Sequence, residues 1–231
     1  MTGETQSIAR PRVSLRRLGL EGEPLVVIDG FTGRVEELRA AGRSATYAPV
    51  KGYPGMRSPV AASYLKPVLP LLAEVIRGAF AMRGSLAVES CSYSIVSLAP
   101  HELQPAQRMP HYDDPGAGVL ALLHYLGGAD DGGTAFYRHR RTGFETMRPE
   151  RLATYNHALA QDEAEFGPLP QSYHYGDSDR FELIGEVEAK ADRAIIYRGR
   201  TLHSGIVPAE PDPRSARERG RLTINTFLVA R

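Results

Sequence analysis

The chain has 231 residues, enough for one domain with a sizeable core, and at 42% hydrophobic and 24% charged it is composed like a globular protein. With 28 basic against 27 acidic residues, spread along the chain, the net charge of +1 excludes the one-sided basic patch of a nucleic-acid binder. A lone cysteine, Cys91, excludes an internal disulfide and a cysteine-rich metal site, which leaves it the role of a buried structural thiol.

No apolar run approaches the roughly 20 residues of a membrane span. Residues 1–17 lack the apolar segment of a secretory signal, so a cytoplasmic address is expected. Residues 1–22 read as a polar lead-in. Pro24-Leu25-Val26-Val27-Ile28-Asp29, closed by Gly30, reads as a strand. A helix follows over 35–41 and ends before Gly42, and the Pro-, Gly- and Tyr-rich stretch 43–60 reads as a loop. Between Ala62 and Ala81 the apolar residues Leu65, Val68, Leu71, Leu72, Val75, Ile76 and Phe80 recur at helical spacing, which predicts a helix starting after Pro70. Residues 88–98 read as a strand with Cys91, Tyr93 and Ile95 on one face.

From Pro110 the pattern changes to strands punctuated by glycine turns: 118–125, 134–139, 181–189, 193–197 and 221–229. A helical pattern over 149–166 interrupts them, with Leu152, Tyr155, Leu159 and Phe166 roughly on one face. Short antiparallel strands after an N-terminal helical portion predict a mainly β fold with flanking helices. Its core is a distorted double-stranded β-helix, a cupin-like jelly roll. One domain over 1–231 is expected, with 1–105 as support and 106–231 as the jelly-roll core, the latter carrying a helical insertion at about 144–180.

In an extended segment residues i and i+2 face the same side, so His111 and Asp113 present an imidazole and a carboxylate to one point. His203 lies 92 residues later, just past the strand at 194–197, where a closed sandwich can bring it to the same place. Two histidines and a carboxylate on one face of an octahedron suit non-haem iron(II) with open positions. Taken alone, a His-x-Asp triplet is common, and so is a single histidine.

The ordered set of His111-Tyr112-Asp113, Leu123-His124-Tyr125-Leu126 leading to Gly132-Gly133-Thr134-Ala135-Phe136, Asp192-Arg193-Ala194-Ile195-Ile196-Tyr197 with His203, and Arg221-Leu222-Thr223-Ile224-Asn225 resembles the prolyl-hydroxylase-like branch of the iron(II)/2-oxoglutarate oxygenases. The match runs over about 108–229, and Val26–Phe31 resembles the opening strand of that family. The resemblance implies His111, Asp113 and His203 as iron ligands. It implies Arg221 as the grip on the distal carboxylate of 2-oxoglutarate, aided by Thr223 and Tyr125, a pairing that suits a planar guanidinium. The cofactors implied are Fe(II), 2-oxoglutarate and O₂, and the products succinate and CO₂. Because Asp113 stands where halogenating relatives carry a small residue, hydroxylation is expected, although desaturation and ring formation use the same ligands.

Two features depart from the family. Pro208–Gly220 lengthens the gap between His203 and Arg221, and the insertion at 144–180 carries His157 and His174, which read as solvent-facing or lid residues. His124, opposite Tyr125 on its strand, reads as structural. The partner expected is a small molecule, amino acid or peptide, with no nucleic acid and no membrane, and a homodimer is compatible. Arg138, Arg140 and Arg141 around His139 read either as a cationic edge near the pocket or as an exposed basic hairpin. Loops 43–60 and 205–220 and the insertion are candidate lids. Two other classes remain open: a non-catalytic jelly-roll binding or sensor module, and a cupin-type metalloenzyme without 2-oxoglutarate. An intact Arg221 argues against both.

Overall fold

The computed structural model describes residues 10–207 and 221–230. The expectations for 1–9 and for the 208–220 loop lie outside the described residues. Eleven strands and three helices are described: β1 (Arg12–Leu18), β2 (Glu23–Asp29), α1 (Val35–Ser44), β3 (Ala48–Pro49), β4 (Gly55–Pro59), α2 (Leu69–Phe80), β5 (Leu86–Val96), β6 (Val119–Tyr125), β7 (Gly133–His139), α3 (Leu152–Phe166), β8 (Phe181–Glu188), β9 (Arg193–Arg198), β10 (His203–Ile206) and β11 (Leu222–Ala230).

These strands form two sheets, of eight strands in the order β1-β2-β9-β6-β11-β5-β4-β3 and of three in the order β10-β7-β8. The central strands of the larger sheet, β2, β9 and β6, are buried on both faces, which explains their unbroken apolar runs. Val26, Ile196 and Leu122 are register partners on one face, packed beneath α1 and α2 with Leu72, Ile76 and Phe80. Val27, Ile195 and Leu123, one residue along each strand, face the smaller sheet and meet Phe136 and Val187 between the layers. A period of two thus sends neighbouring residues into two different cores. A third cluster, Tyr137, Met147, Tyr155, Phe181 and Leu202, joins the smaller sheet to α3. The sandwich is the jelly roll that the strand pattern implied, and the N-terminal half adds five strands to its larger sheet.

Several expectations needed correction. The lead-in holds an edge strand, β1, whose pairing with β2 runs from Arg12↔Asp29 to Leu18↔Glu23. Its side chains are mostly exposed, so no apolar pattern marks it. The loop at 43–60 contains β3 and β4. Helix α1 continues through Gly42 to Ser44, because a Cβ there would sit 3.0 Å from both Leu222 and Tyr93, and glycine is what admits this close packing. Helix α2 includes Pro70, which occupies the first turn where its missing N–H has no partner to lose. On α3 the buried face is Tyr155, Ala158 and Asp162, and Phe166 is exposed. Asp162 is buried because His139 Nε2, at 2.7 Å, and Arg141 both bond its carboxylate.

A polar clamp on Asp192 ties β6, β9 and the segment after β2 together. Asp192, at φ +60°, takes His124 Nε2 (3.0 Å), Thr32 Oγ1 (2.8 Å) and the backbone N–H groups of Thr32 and Gly33 (3.0 and 2.7 Å). His124 is therefore structural, as read. Cys91 packs beside the helix-side core with its sulfur 3.3 Å from Thr226 Oγ1, a structural environment. No helix among the described residues is long and apolar enough to cross a membrane.

Candidate metal centre

The two ligand segments are joined by their own backbones. His111 and His203 form an antiparallel bridge in which each N–H donates to the other's carbonyl at 2.8 Å. Two residues on, the Asp113 N–H donates to Gly199 O at 2.7 Å. This pairing, impossible to infer from 92 residues of separation, fixes all three side chains at the mouth of the sandwich. It also explains β10, which is too short and polar to show in sequence: its register on β7, His203↔Phe136 to Ile206↔Gly133, holds His203 in place.

One ligand atom from each of His111, Asp113 and His203 lies within 4.8 Å of the other two. His203 Nε2 is 3.7 Å from Asp113 Oδ2, and His111 Nε2 is 4.0 Å from Asp113 Oδ1. Both gaps are too wide for hydrogen bonds. A first-row cation bound about 2.0–2.2 Å from each donor reaches across gaps of this width. The donor chemistry also fits. His203 Nδ1–H donates to Thr201 O at 2.9 Å, which leaves the Nε2 lone pair facing the carboxylate, the arrangement in which a metal-binding histidine is held. Phe136 and Tyr197 flank its ring.

Electrostatics point the same way. Burial pushes His203 down to about 4, outweighing the Thr201 hydrogen bond, and the Arg221 cation adds to the fall. Burial likewise lowers His111, although 52% of its side chain faces the open cavity. Burial pushes Asp113 up to about 6 against the pull of His111 and Arg57. Two neutral imidazoles beside a carboxylate that lacks a cation make a ligand set short of positive charge.

The triad lines a cavity of about 660 Å³ that also contains Arg221. Arg221, 7% exposed, donates through Nη2 to Gly133 O at 2.9 Å, and its Nε is buried with no partner. A buried guanidinium with an unmet donor, in the cavity of the triad, suits a carboxylate ligand. Tyr125 and Thr223 share its side of the sheet but stand behind it and off the cavity lining. The Tyr125 hydroxyl bonds Thr134 Oγ1 at 2.7 Å, its ring centre is 5.7 Å from the guanidinium carbon of Arg221, and Thr223 Oγ1 donates to Asn225 at 2.8 Å. Thr134 and Asn225 take the lining positions instead.

The three arginines around His139 are spent elsewhere. Arg138 pairs with Glu145 and Glu182, Arg140 with Asp177, and Arg141 with Asp162 and Glu165, and none lines the cavity. His157 is exposed on α3, whereas His174 lines the cavity against Tyr137, its Nε2 buried without a partner. Tyr53, Arg57 and Tyr173 also line it, from the 43–60 loop and the 144–180 insertion. Sequence reasoning marked those segments as covers but not these side chains, which carry no local signal.

Comparison with known proteins follows from this geometry. The sequence over residues 9–228 matches the family of unknown function DUF6445, and the chain belongs to that family. No curated protein matches the sequence. Among solved structures, the chain is similar to the non-haem alpha ketoglutarate dependent epimerase SnoN from nogalamycin biosynthesis, at TM-score 0.51 and 13% identity over 90% of this chain and 78% of that one. It is similar to HygX from Streptomyces hygroscopicus, solved with nickel and 2-oxoglutarate bound, at 0.51 and 14% over 89% and 82%. It is also similar to the non-haem alpha ketoglutarate dependent carbocyclase SnoK from nogalamycin biosynthesis, at 0.51 and 13% over 90% and 80%. At such identities the likeness establishes the fold, that of the iron/2-oxoglutarate oxygenases.

Proposed function

We propose that this member of the DUF6445 family is an iron(II)- and 2-oxoglutarate-dependent oxygenase. His111, Asp113 and His203 hold the metal, and Arg221 grips the far carboxylate of 2-oxoglutarate. The observation that carries the reading is one cavity holding both a two-histidine, one-carboxylate cluster and a buried arginine with an unmet donor. Iron(II), when bound, supplies oxidation of a C–H bond by O₂ with 2-oxoglutarate as co-reductant, which leaves as succinate and CO₂.

The chain's own residues set position and dryness. Thr201 O fixes the tautomer of His203, and the paired backbones of His111 and His203 keep the cluster rigid. Arg221 orients the cosubstrate from the side of the smaller sheet, and the Tyr125–Thr134 hydrogen bond stiffens the wall beside it. An aromatic flank of Phe136 and Tyr197 restricts water around His203.

Retention of Asp113 supports hydroxylation of a small molecule, amino acid or peptide, and the order of motifs supports the prolyl-hydroxylase-like branch. SnoN is an epimerase and SnoK a carbocyclase on the same fold, so the outcome at the substrate carbon is the finer part of the proposal. A metalloenzyme of this fold without 2-oxoglutarate would leave the Arg221 cation unanswered.

Anaerobic addition of Fe(II) and 2-oxoglutarate should raise a weak visible charge-transfer band, and aerobic turnover should release succinate. A fully metallated protein that gives neither would overturn the assignment.

A further inference from the structure

Among the described residues, the Arg57 side chain forms no ion pair and no hydrogen bond, and its guanidinium carbon lies 4.4 Å from the centroid of the Tyr53 ring. It stands on β4 directly opposite Ser94 of β5, so the two side chains leave the sheet on the same face. Arg57 Nε is buried without a hydrogen-bond partner, and the buried Tyr53 hydroxyl interacts with the neighbouring Ser94 hydroxyl. Arg57 and Tyr53 line the cavity of the metal cluster, together with the carboxylates Glu89, Asp113 and Asp114, and none of these pairs with Arg57. Asp114 is already engaged, its Oδ1 accepting the Gly116 N–H at 2.6 Å.

A partly buried cation with an unmet donor, on the cavity wall beside the Tyr53 hydroxyl, is an unfavourable arrangement unless something anionic completes it. The reading proposed above leaves Arg57 without a use. 2-Oxoglutarate carries two carboxylates, one for the metal and one for Arg221. The two arginines come from different places in the fold: Arg57 stands on β4, whereas Arg221 precedes β11 and bonds Gly133 O of β7.

We infer that the substrate carries an oxyanion, a carboxylate or a phosphate, and that Arg57, with the Tyr53 hydroxyl, receives it beside the metal cluster. The inference deepens the oxygenase reading and rests on it for the identity of the reacting partner. A planar fork beside a hydroxyl donor matches such a group, and it selects an anionic small molecule or peptide side chain over a neutral one.

The test uses the Ni(II)- and 2-oxoglutarate-loaded protein with acetate as planar probe and sulfate as tetrahedral probe, each against chloride at equal ionic strength, read as thermal midpoint. Wild type should respond saturably to at least one, and the probe preferred distinguishes a carboxylate from a phosphate-like group. In Arg57→Gln the half-saturating concentration should rise tenfold or more, with Arg57→Lys between, while half-saturation by 2-oxoglutarate stays within twofold of wild type. An anion response equal in wild type and Arg57→Gln, or absent from wild type, would overturn the inference. So would a 2-oxoglutarate defect in Arg57→Gln as large as that of Arg221→Gln, since Arg57 would then serve the cosubstrate. If wild type fails to bind 2-oxoglutarate at all, yet the Ni(II)-only protein keeps an Arg57-dependent anion response, the oxygenase reading fails and the anion site stands.

Discussion

Replacing Arg221 by glutamine should weaken cosubstrate binding while leaving the stability of the unliganded protein nearly unchanged. The side chain is 7% exposed, and its Nη2 bonds Gly133 O at 2.9 Å while Nε has no partner. Glutamine keeps a neutral donor in reach of that carbonyl but removes the charge and the fork. Loss of one partner of a buried, hydrogen-bonded charge pair costs about 2–5 kcal/mol in binding. At about 1.4 kcal/mol per tenfold, the lower end corresponds to roughly a 30-fold weaker 2-oxoglutarate affinity. In the free protein the balance differs. An uncompensated buried cation disappears, which is neutral or stabilising, and weakening the bond to Gly133 removes about 1 kcal/mol. Stability without ligand should therefore stay within about 1 kcal/mol of wild type. Calorimetric titration of 2-oxoglutarate into Ni(II)-loaded protein, with urea unfolding of the unliganded protein, reads both quantities. Unchanged affinity, or a loss of several kcal/mol of stability in the unliganded variant, would mean that Arg221 is a structural arginine.

Asp113→Ala or His203→Ala should abolish Ni(II) binding by calorimetry, whereas His157→Ala, exposed on α3, should bind as wild type does; equal loss in all three would show the third ligand to be misassigned. Metal affinity should also depend on pH with a defined slope. Asp113, raised to about 6, must release a proton to bind metal, so affinity should fall about tenfold per unit as pH drops below 6, while His203, near 4, stays neutral until lower pH. A slope of two protons between pH 6 and 5 would show an imidazole titrating as well. Asp192→Ala strips four hydrogen bonds from a buried clamp and should cost about 3 kcal/mol in urea unfolding. Asp192→Asn, which also tolerates φ +60°, should lose less. The hydrogen bonds from His124, Thr32 and Gly33 hold the Asp192 carboxyl below its ordinary value despite burial. Its share of stability is therefore present above the carboxylate range of the unfolded chain and disappears as pH falls through its folded value, so Asp192→Ala and wild type should converge in acid.

Much of the centre was legible because it is written in short-range chemistry. The spacing of His111 and Asp113 on an extended segment, the apolar strand before His203 and the apolar strand that begins at Arg221 each announce their geometry locally. What could not be seen was any feature defined by distant pairing. β1 hides because an edge strand with two wet faces has no apolar alternation, and β10 because it is four residues held by register on β7. Tyr125 and Thr223 were placed on the correct face, but only packing showed Thr134 and Asn225 occupying the lining in front of them.

The sequence by itself determined the sandwich and the shared side of His111 and Asp113, since burial with period two and i, i+2 spacing are properties of neighbouring residues, whereas the bridge that brings His203 to them is tertiary. Which of 25 arginines keep a free charge was decided only by tertiary structure. Arg193 is neutralised by Asp29, 164 residues away, and Arg138, Arg140 and Arg141 by carboxylates gathered from α3 and β8 and from the segments around Glu145 and Asp177, while among the described residues Arg57 and Arg221 reach the cavity without an acidic partner. An ion pair is a fact about folded proximity, and so is its absence.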